Sequence, residues 1–331
     1  MVDETRPGIN VNFGALTKAD VSRAAEEFRL GVQALTQLDP RRLSLAQMHG
    51  KMFLQFIESI LRQIDPNPEA VSSAIMVPSE PDPGKDPKIF LLNVWNLRAG
   101  QWARIESRAT YSLTMESLLY HMRFQSATKP ERWASLGAGP GLYEAYLGVF
   151  FQEQHGGRVR ITCVDYAPEM TTFNKKVIAA AGVERNIEAK TGDMTSLRYP
   201  NGTFDQIICN NSLQWVPEWQ RAISEMARVI NPNGLGRLYL VIHNNPMTIK
   251  KVETGETIEI GDVNSGDVLD TLEANRFAIV SARQFVTPLG IGQLGRMTDR
   301  LMIIAEHTPR GRFESWRDSI PTGSLTLRDS S

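Results

Sequence analysis

The segment that most restricts this chain is Glu131-Arg132-Trp133-Ala134-Ser135-Leu136-Gly137-Ala138-Gly139-Pro140-Gly141, followed by the apolar stretch Leu142 to Phe151. It reads as a short strand, a glycine-rich turn and a helix, the opening of a strand–helix–strand unit. Glycine at alternate positions lets the backbone bend sharply and approach a ligand with no Cβ in the way. The helix then points free N–H groups back at the turn, which suits a carboxylate or a phosphate. A dinucleotide fingerprint wants its third glycine one residue later, where this chain has Leu142, and that counts against a pyrophosphate ligand. A tight strand–helix turn with no ligand is the competing reading.

From Trp133 the chain alternates strand and helix. Candidate strands are 133–137, 159–165, 187–191, 204–210, 238–243, 277–285 and 300–306, and candidate helices 142–152, 168–181, 217–230 and 265–275. Such alternation predicts a parallel sheet covered on both faces. The last two strands are joined by Leu289-Gly290-Ile291-Gly292-Gln293-Leu294-Gly295, too short for a crossover helix, so they should pair antiparallel at the sheet's edge. Residues 1–128 read differently, with helices predicted over 18–38 (opened by Thr17 and Asp20), 44–64, 87–108 and 112–124 and a proline-rich loop over 66–87. Met48, Met52, Phe53, Phe56, Ile57, Ile60 and Leu61 recur at helical spacing and should pack into a core. The expected division is a helical region 1–128, an α/β domain 129–310 and a Ser/Thr/Arg-rich peripheral tail 311–331.

Charge narrows the partners. Lys and Arg number 36 against 37 Asp and Glu, a formal net charge of −1, which argues against nucleic acid as the main partner. The first residues have no apolar core of the secretory kind, and no apolar run reaches the length of a membrane span. The two cysteines, Cys163 and Cys209, fall in predicted strands and read as reduced core thiols of a cytoplasmic protein, with no metal site expected.

Three further segments follow the glycine turn in order. The second strand ends in Asp165, then Tyr166 and, at the start of the next helix, Met170; a carboxylate there sits beside the turn and can accept both hydroxyls of a ribose. Asp165 as a cap for the helix at Pro168 is the plainer alternative. The third strand ends in Asp193-Met194, where an acid can bond an adenine amino group while the methionine packs on the ring, or where Asp193 is simply a turn residue. The fourth ends in Asn210-Asn211-Ser212-Leu213-Gln214-Trp215-Val216-Pro217, and a turn at Asn231-Pro232-Asn233-Gly234 leads into the fifth.

Taken together, these segments over about 131–245 resemble the class I S-adenosylmethionine-dependent methyltransferases, closest to the small-molecule branch with an LQWVPD-like segment after strand four. The resemblance implies a Rossmann-like, seven-stranded, mostly parallel sheet with an antiparallel last strand, plus an N-terminal helical lid region. It implies that Gly137, Ala138, Gly139 and Gly141 flank the methionyl part of the cofactor and that Asp165 holds the ribose. Tyr166 would then lie beside the adenine, Asp193 and Met194 would frame it, Asn210 would touch the amino-acid end, and Met170 would be a further cofactor-binding residue. No Asn/Asp-Pro-Pro-Tyr signature of nucleobase or glutamine methylation stands at 210–213. The implied partner is therefore a small, largely apolar acceptor, methylated at oxygen, nitrogen or carbon.

A hydroxyl acceptor needs a general base, whereas a carboxylate arrives ionised. His243 ends the fifth strand and His121 lies next to Tyr120 in the last N-terminal helix; each is a candidate catalytic base, and each has a bland reading as a strand-end or helix-surface residue. Tyr143 and Tyr146 read as packing, with Tyr143 near enough to the turn to cover the cofactor. The helical region, with Trp95 and Trp102, would form a lid over an apolar acceptor pocket, a homodimer surface, or its own core. Carboxyl O-methylation and a non-catalytic cofactor-binding partner subunit are the competing functions.

Overall fold

Trp133 to Leu136 are all buried, as expected of a strand with neighbours on both sides. This strand, β1 (Glu131–Leu136), pairs in parallel with β2 (Val159–Asp165) and with β4 (Gln206–Asn210). Outside β2 lies β3 (Ile187–Thr191), and outside β4 lies β5 (Arg237–His243), both parallel. β5 then pairs antiparallel with β9 (Met297–His307), which pairs antiparallel with β8 (Phe277–Pro288), giving the order β3-β2-β1-β4-β5-β9-β8. Six strands thus run one way and β9 alone runs against them. All seven residues of β5 are buried, and Leu238 to Ile242 between its polar ends form the continuous apolar run that a strand covered on both faces requires.

This computed structural model describes residues 40–64, 87–105, 108–122, 129–232, 236–243, 247–250, 257–261, 263–288 and 297–308. The predicted helix 18–38, the proline-rich residues 66–86, the glycine-rich connection 289–295 and the tail 311–331 lie outside the described residues.

Alternate side chains of each strand face opposite layers. Trp133, Ile161 and Tyr239 pack under α4 (Leu142–His155) and α5 (Pro168–Ala181), joined by Phe53 and Ile57 of α1 (Pro40–Ile64) and Met115 and Leu118 of α3 (Arg108–His121). Ala134, Ile207 and Leu240 pack under α6 (Trp219–Val229) and α7 (Ser265–Ala274). The remaining helix, α2 (Pro87–Ile105), lies over the start of α5, where Ala99 meets Ala167 and Met170.

Several boundaries differ from expectation. Phe204 forms only an isolated bridge to Ile230, so β4 starts at Gln206. The helix expected from 217 starts at Trp219, because Leu213–Trp215 winds first into a 3₁₀ turn. A hairpin of β6 (Met247–Lys250) and β7 (Thr257–Gly261) was not anticipated, although Thr-Ile-Lys and Thr-Ile-Glu-Ile around Gly255 carry a β-branched alternation. The apolar stripe of α1 is only partly core: Phe53, Ile57 and Ile60 are buried, while Met48 and Met52 are 48% and 44% exposed. At about 100° per residue, Met52 is a quarter-turn or more round from Phe53, and Met48 points further away still.

Candidate active site

The glycine turn closes the carboxyl end of β1. Gly137 and Ala138 donate to the Val164 carbonyl at 2.8 and 3.1 Å, and Gly141 donates to Ala138 at 3.1 Å. All three glycines hold positive φ, at 67°, 54° and 74°, but for different reasons. A Cβ on Gly137 would stand 2.3 Å from the Cβ of Ser212, whose Oγ donates to the Gly137 carbonyl at 2.7 Å. A Cβ on Gly141 would stand 2.2 Å from Oδ1 of Asn174. A Cβ on Gly139 would meet nothing within 4 Å; that glycine borders open space.

The space is a cleft along the carboxyl ends of β1 to β4, enclosing about 1100 Å³ with its open mouth. Asp165 lies at its floor, accepting from the N–H of Gly139 at 2.7 Å and of Ala167 at 2.9 Å. Burial pushes its carboxyl up to about 6, against the pull of those hydrogen bonds. Asp193 accepts from the Thr195 N–H and hydroxyl at 2.8 and 2.7 Å, and Lys88 of α2 stands 3.4 Å from its other oxygen. Partial burial opposes ionisation of Asp193, but Thr195 and Lys88 together hold it below the usual range. Lys88 also pairs with Glu218.

The structure brings Gly137, Ala138, Gly139, Asp165, Tyr166, Met170, Asp193, Met194 and Asn210 together around this one cleft. Gly141 is not on its wall; it packs behind, against Asn174. Asn211 holds a left-handed φ of 54° just after β4, a strained geometry for a residue with a side chain. Leu91, Trp95 and Trp102 of α2 roof the cleft, and Trp95 meets Trp102 and Trp215 edge-on at 5.0 and 4.9 Å. Tyr111 and Tyr143, 5.4 Å apart, close the side nearest α3 and α4.

Sequence reasoning passed over Glu144, the third residue of α4. Its side chain is 2% exposed, borders the cleft, and accepts from the Ser135 hydroxyl through Oε1 at 2.6 Å. Oε2 is buried with no hydrogen-bond partner. Burial pushes the carboxyl up to about 7, with Asp165 adding repulsion and Ser135 opposing it. The available signal was an acid in a first helical turn whose cap, Gly141, has no side chain to offer.

Neither candidate base is on the wall. His243 does end β5 at the carboxyl edge, but it is 5% exposed, faces Arg300 across the β5–β9 register, and is pushed down to about 3 by burial and by that guanidinium. His121 sits at the other edge: its carbonyl accepts from Arg237, the first residue of β5, at 2.9 Å. Six residues at about 3.3 Å each separate the two ends of β5 by roughly 20 Å. His243→Gln is therefore expected to leave the pH profile of turnover unchanged; loss of an ascending limb near the histidine range would restore it as a base. Among the described residues no group of three metal-ligating side chains converges.

An open sheet ordered in this way, with a glycine turn after β1 and acids after β2 and β3, is the Rossmann-like arrangement that the resemblance to class I methyltransferases implies. Residues 134–238 match the family described as a methyltransferase domain. A phosphatidylethanolamine N-methyltransferase of Cereibacter sphaeroides is 34% identical over 77 residues, 23% of this chain and 38% of that protein. A demethylmenaquinone methyltransferase of Listeria monocytogenes is 26% identical over 86 residues, 26% of this chain and 36% of that protein. The chain thus spans less than two fifths of the length of these curated relatives. A solved S-adenosylmethionine-dependent methyltransferase from Methanosarcina mazei is 20% identical, aligns with 55% of this chain and 95% of its own, and has a TM-score of 0.46.

Proposed function

We propose that the whole chain is an S-adenosylmethionine-dependent methyltransferase acting on a small, largely apolar acceptor. The observation that carries this is the cleft itself: buried Glu144 and partly buried Asp165 and Asp193 face a space whose only basic wall residue among those described, Lys88, is already engaged by Asp193 and Glu218. Such a wall suits a ligand with a sulfonium and an ammonium and repels phosphates. Open space at Gly139 and the buried, unpartnered oxygens of Asn210 and Glu144 fit a polar ligand laid along the turn.

When bound, the cofactor supplies an electrophilic methyl group for in-line displacement. Asp165 then accepts from the ribose hydroxyls, Asp193 and Met194 frame the adenine, and Gly137 with Asn210 flanks the amino-acid end. The chain's remaining task is to align the acceptor and keep water out, for which the indoles of Trp95, Trp102 and Trp215 and the rings of Tyr111 and Tyr143 form the walls. Aromatic walls, with the one cation among the described wall residues, Lys88, already paired with acids, favour an apolar metabolite over nucleic acid. The relatives' names point to a lipid and to a quinone precursor. Buried, unlinked Cys163 and Cys209 suit a cytoplasmic setting, and among the described residues no helix is long and apolar enough to cross a membrane.

Calorimetry with S-adenosylhomocysteine is expected to show one site per chain. Methyl-labelled cofactor is expected to pass label into an organic-soluble small-molecule fraction of a cell extract. Absence of binding sinks the cofactor reading, and label appearing only in protein or nucleic acid sinks the acceptor reading.

A further inference from the structure

We infer that Glu144 receives the α-ammonium of the cofactor's amino-acid end, with Ser135 as the residue that orients its carboxylate. The inference deepens the cofactor reading above and rests on it. Ser135 stands two residues before Gly137 in β1, so its bond to Oε1 fixes Glu144 at the β1 end of the glycine turn. Asp165 takes its N–H bonds from Gly139 and Ala167, at the β2 side. Two carboxylates are therefore set along one turn, and with the ribose at Asp165 the amino-acid end extends towards Gly137, Asn210 and Glu144.

The chemistry of the pair points the same way. One oxygen of Glu144 is satisfied by a neutral hydroxyl, and the other, although buried, has no donor in the protein. An unpaired buried carboxylate oxygen is costly, and a ligand ammonium is the donor that would complete it. Lys88 does not serve, since it is held between Asp193 and Glu218 at the β3 and β4 side of the cleft. The indoles that wall the acceptor space belong to α2 and to the segment after β4, whereas Glu144 belongs to α4 and lies against β1. Ser135 and Glu144 thus act as one unit, a hydroxyl on the strand setting the direction of an acid on the helix.

The test compares S-adenosylhomocysteine with its analogue carrying hydrogen in place of the α-amino group, in the wild type and in Glu144→Gln. Glutamine keeps an acceptor for Ser135 and loses the charge. A charge-assisted bond of this kind corresponds to a wild-type preference for the amine of about 10- to 100-fold. In Glu144→Gln the preference should collapse through weaker binding of S-adenosylhomocysteine alone. A wild type that binds both compounds equally overturns the inference whether or not the variant folds. So does a variant that weakens both compounds equally, which would mark a purely structural acid, or one that loses turnover while keeping its preference. A wild type that binds neither compound overturns the cofactor reading itself and this inference with it.

Discussion

Asp165→Ala is expected to weaken binding of S-adenosylhomocysteine by about 100-fold or more. The side chain has two tasks that alanine abandons together. From below it accepts the N–H groups of Gly139 and Ala167 and so holds the turn in shape; towards the cleft the same oxygens accept the ribose hydroxyls. Asp165→Asn, which keeps one acceptor, should fall between. Acidity should act on the same site. Burial pushes Asp165 up to about 6 and Glu144 up to about 7, so both bind protons more tightly than an exposed carboxyl does. A cationic ligand favours their ionised forms. Affinity should therefore be level above about pH 8 and decline as the pH falls through 7 and then 6, the protonated fraction growing at each step. Titration calorimetry across that range reads both effects. Affinity that stays level or rises on acidification, or an alanine variant that binds as the wild type does, would contradict this account of the floor of the cleft.

Two glycine substitutions two residues apart should separate folding from binding. In Gly137→Ala the new Cβ collides with the Cβ of Ser212, itself tied by hydrogen bonds to the carbonyls of Gly137 and Asn210. The left-handed φ adds about 1–2 kcal/mol of its own. A loss of about 3–5 kcal/mol, at the upper end for single substitutions, is expected in urea denaturation. Gly139→Ala pays the same conformational penalty of about 1–2 kcal/mol but meets no atom within 4 Å. It should fold, and it should fail to bind cofactor, because its methyl group enters the space the ligand needs. If the two variants lose stability alike, or if Gly139→Ala binds normally, the distinction between a packed and an open glycine is wrong.

How far the site could be read in the sequence depended on where each residue sat. Asp165 and Asn210 end strands and Asp193 stands two residues past the end of one, and in a parallel sheet every strand's carboxyl end lies at one edge, so their meeting in one cleft followed from the alternation alone. Helices carry no such guarantee. His121 ends α3, and nothing in its periodicity says which edge of the sheet that end reaches; it reaches the amino edge, under Arg237. Glu144 looked like an ordinary acid in a first turn, since its burial depends on Ser135 nine residues earlier facing the same layer. For α1 the spacing foresaw a buried face but not its width, which ends before Met48 and Met52. His243 was placed at the right edge, yet Arg300, some sixty residues away, decides its surroundings.

The order of the sheet also bears on how the molecule comes into being. β9 is the last strand to be synthesised among the described residues, yet it is not an edge: it sits between β5 and β8, with Leu301 to Ala305 buried there. Until the ribosome has released it, β5, apolar from Leu238 to Ile242, presents an unpaired flank, a template for pairing with other chains. The nascent domain must therefore wait with its middle open, and completion of the sheet is deferred to the arrival of a segment more than fifty residues downstream of β5.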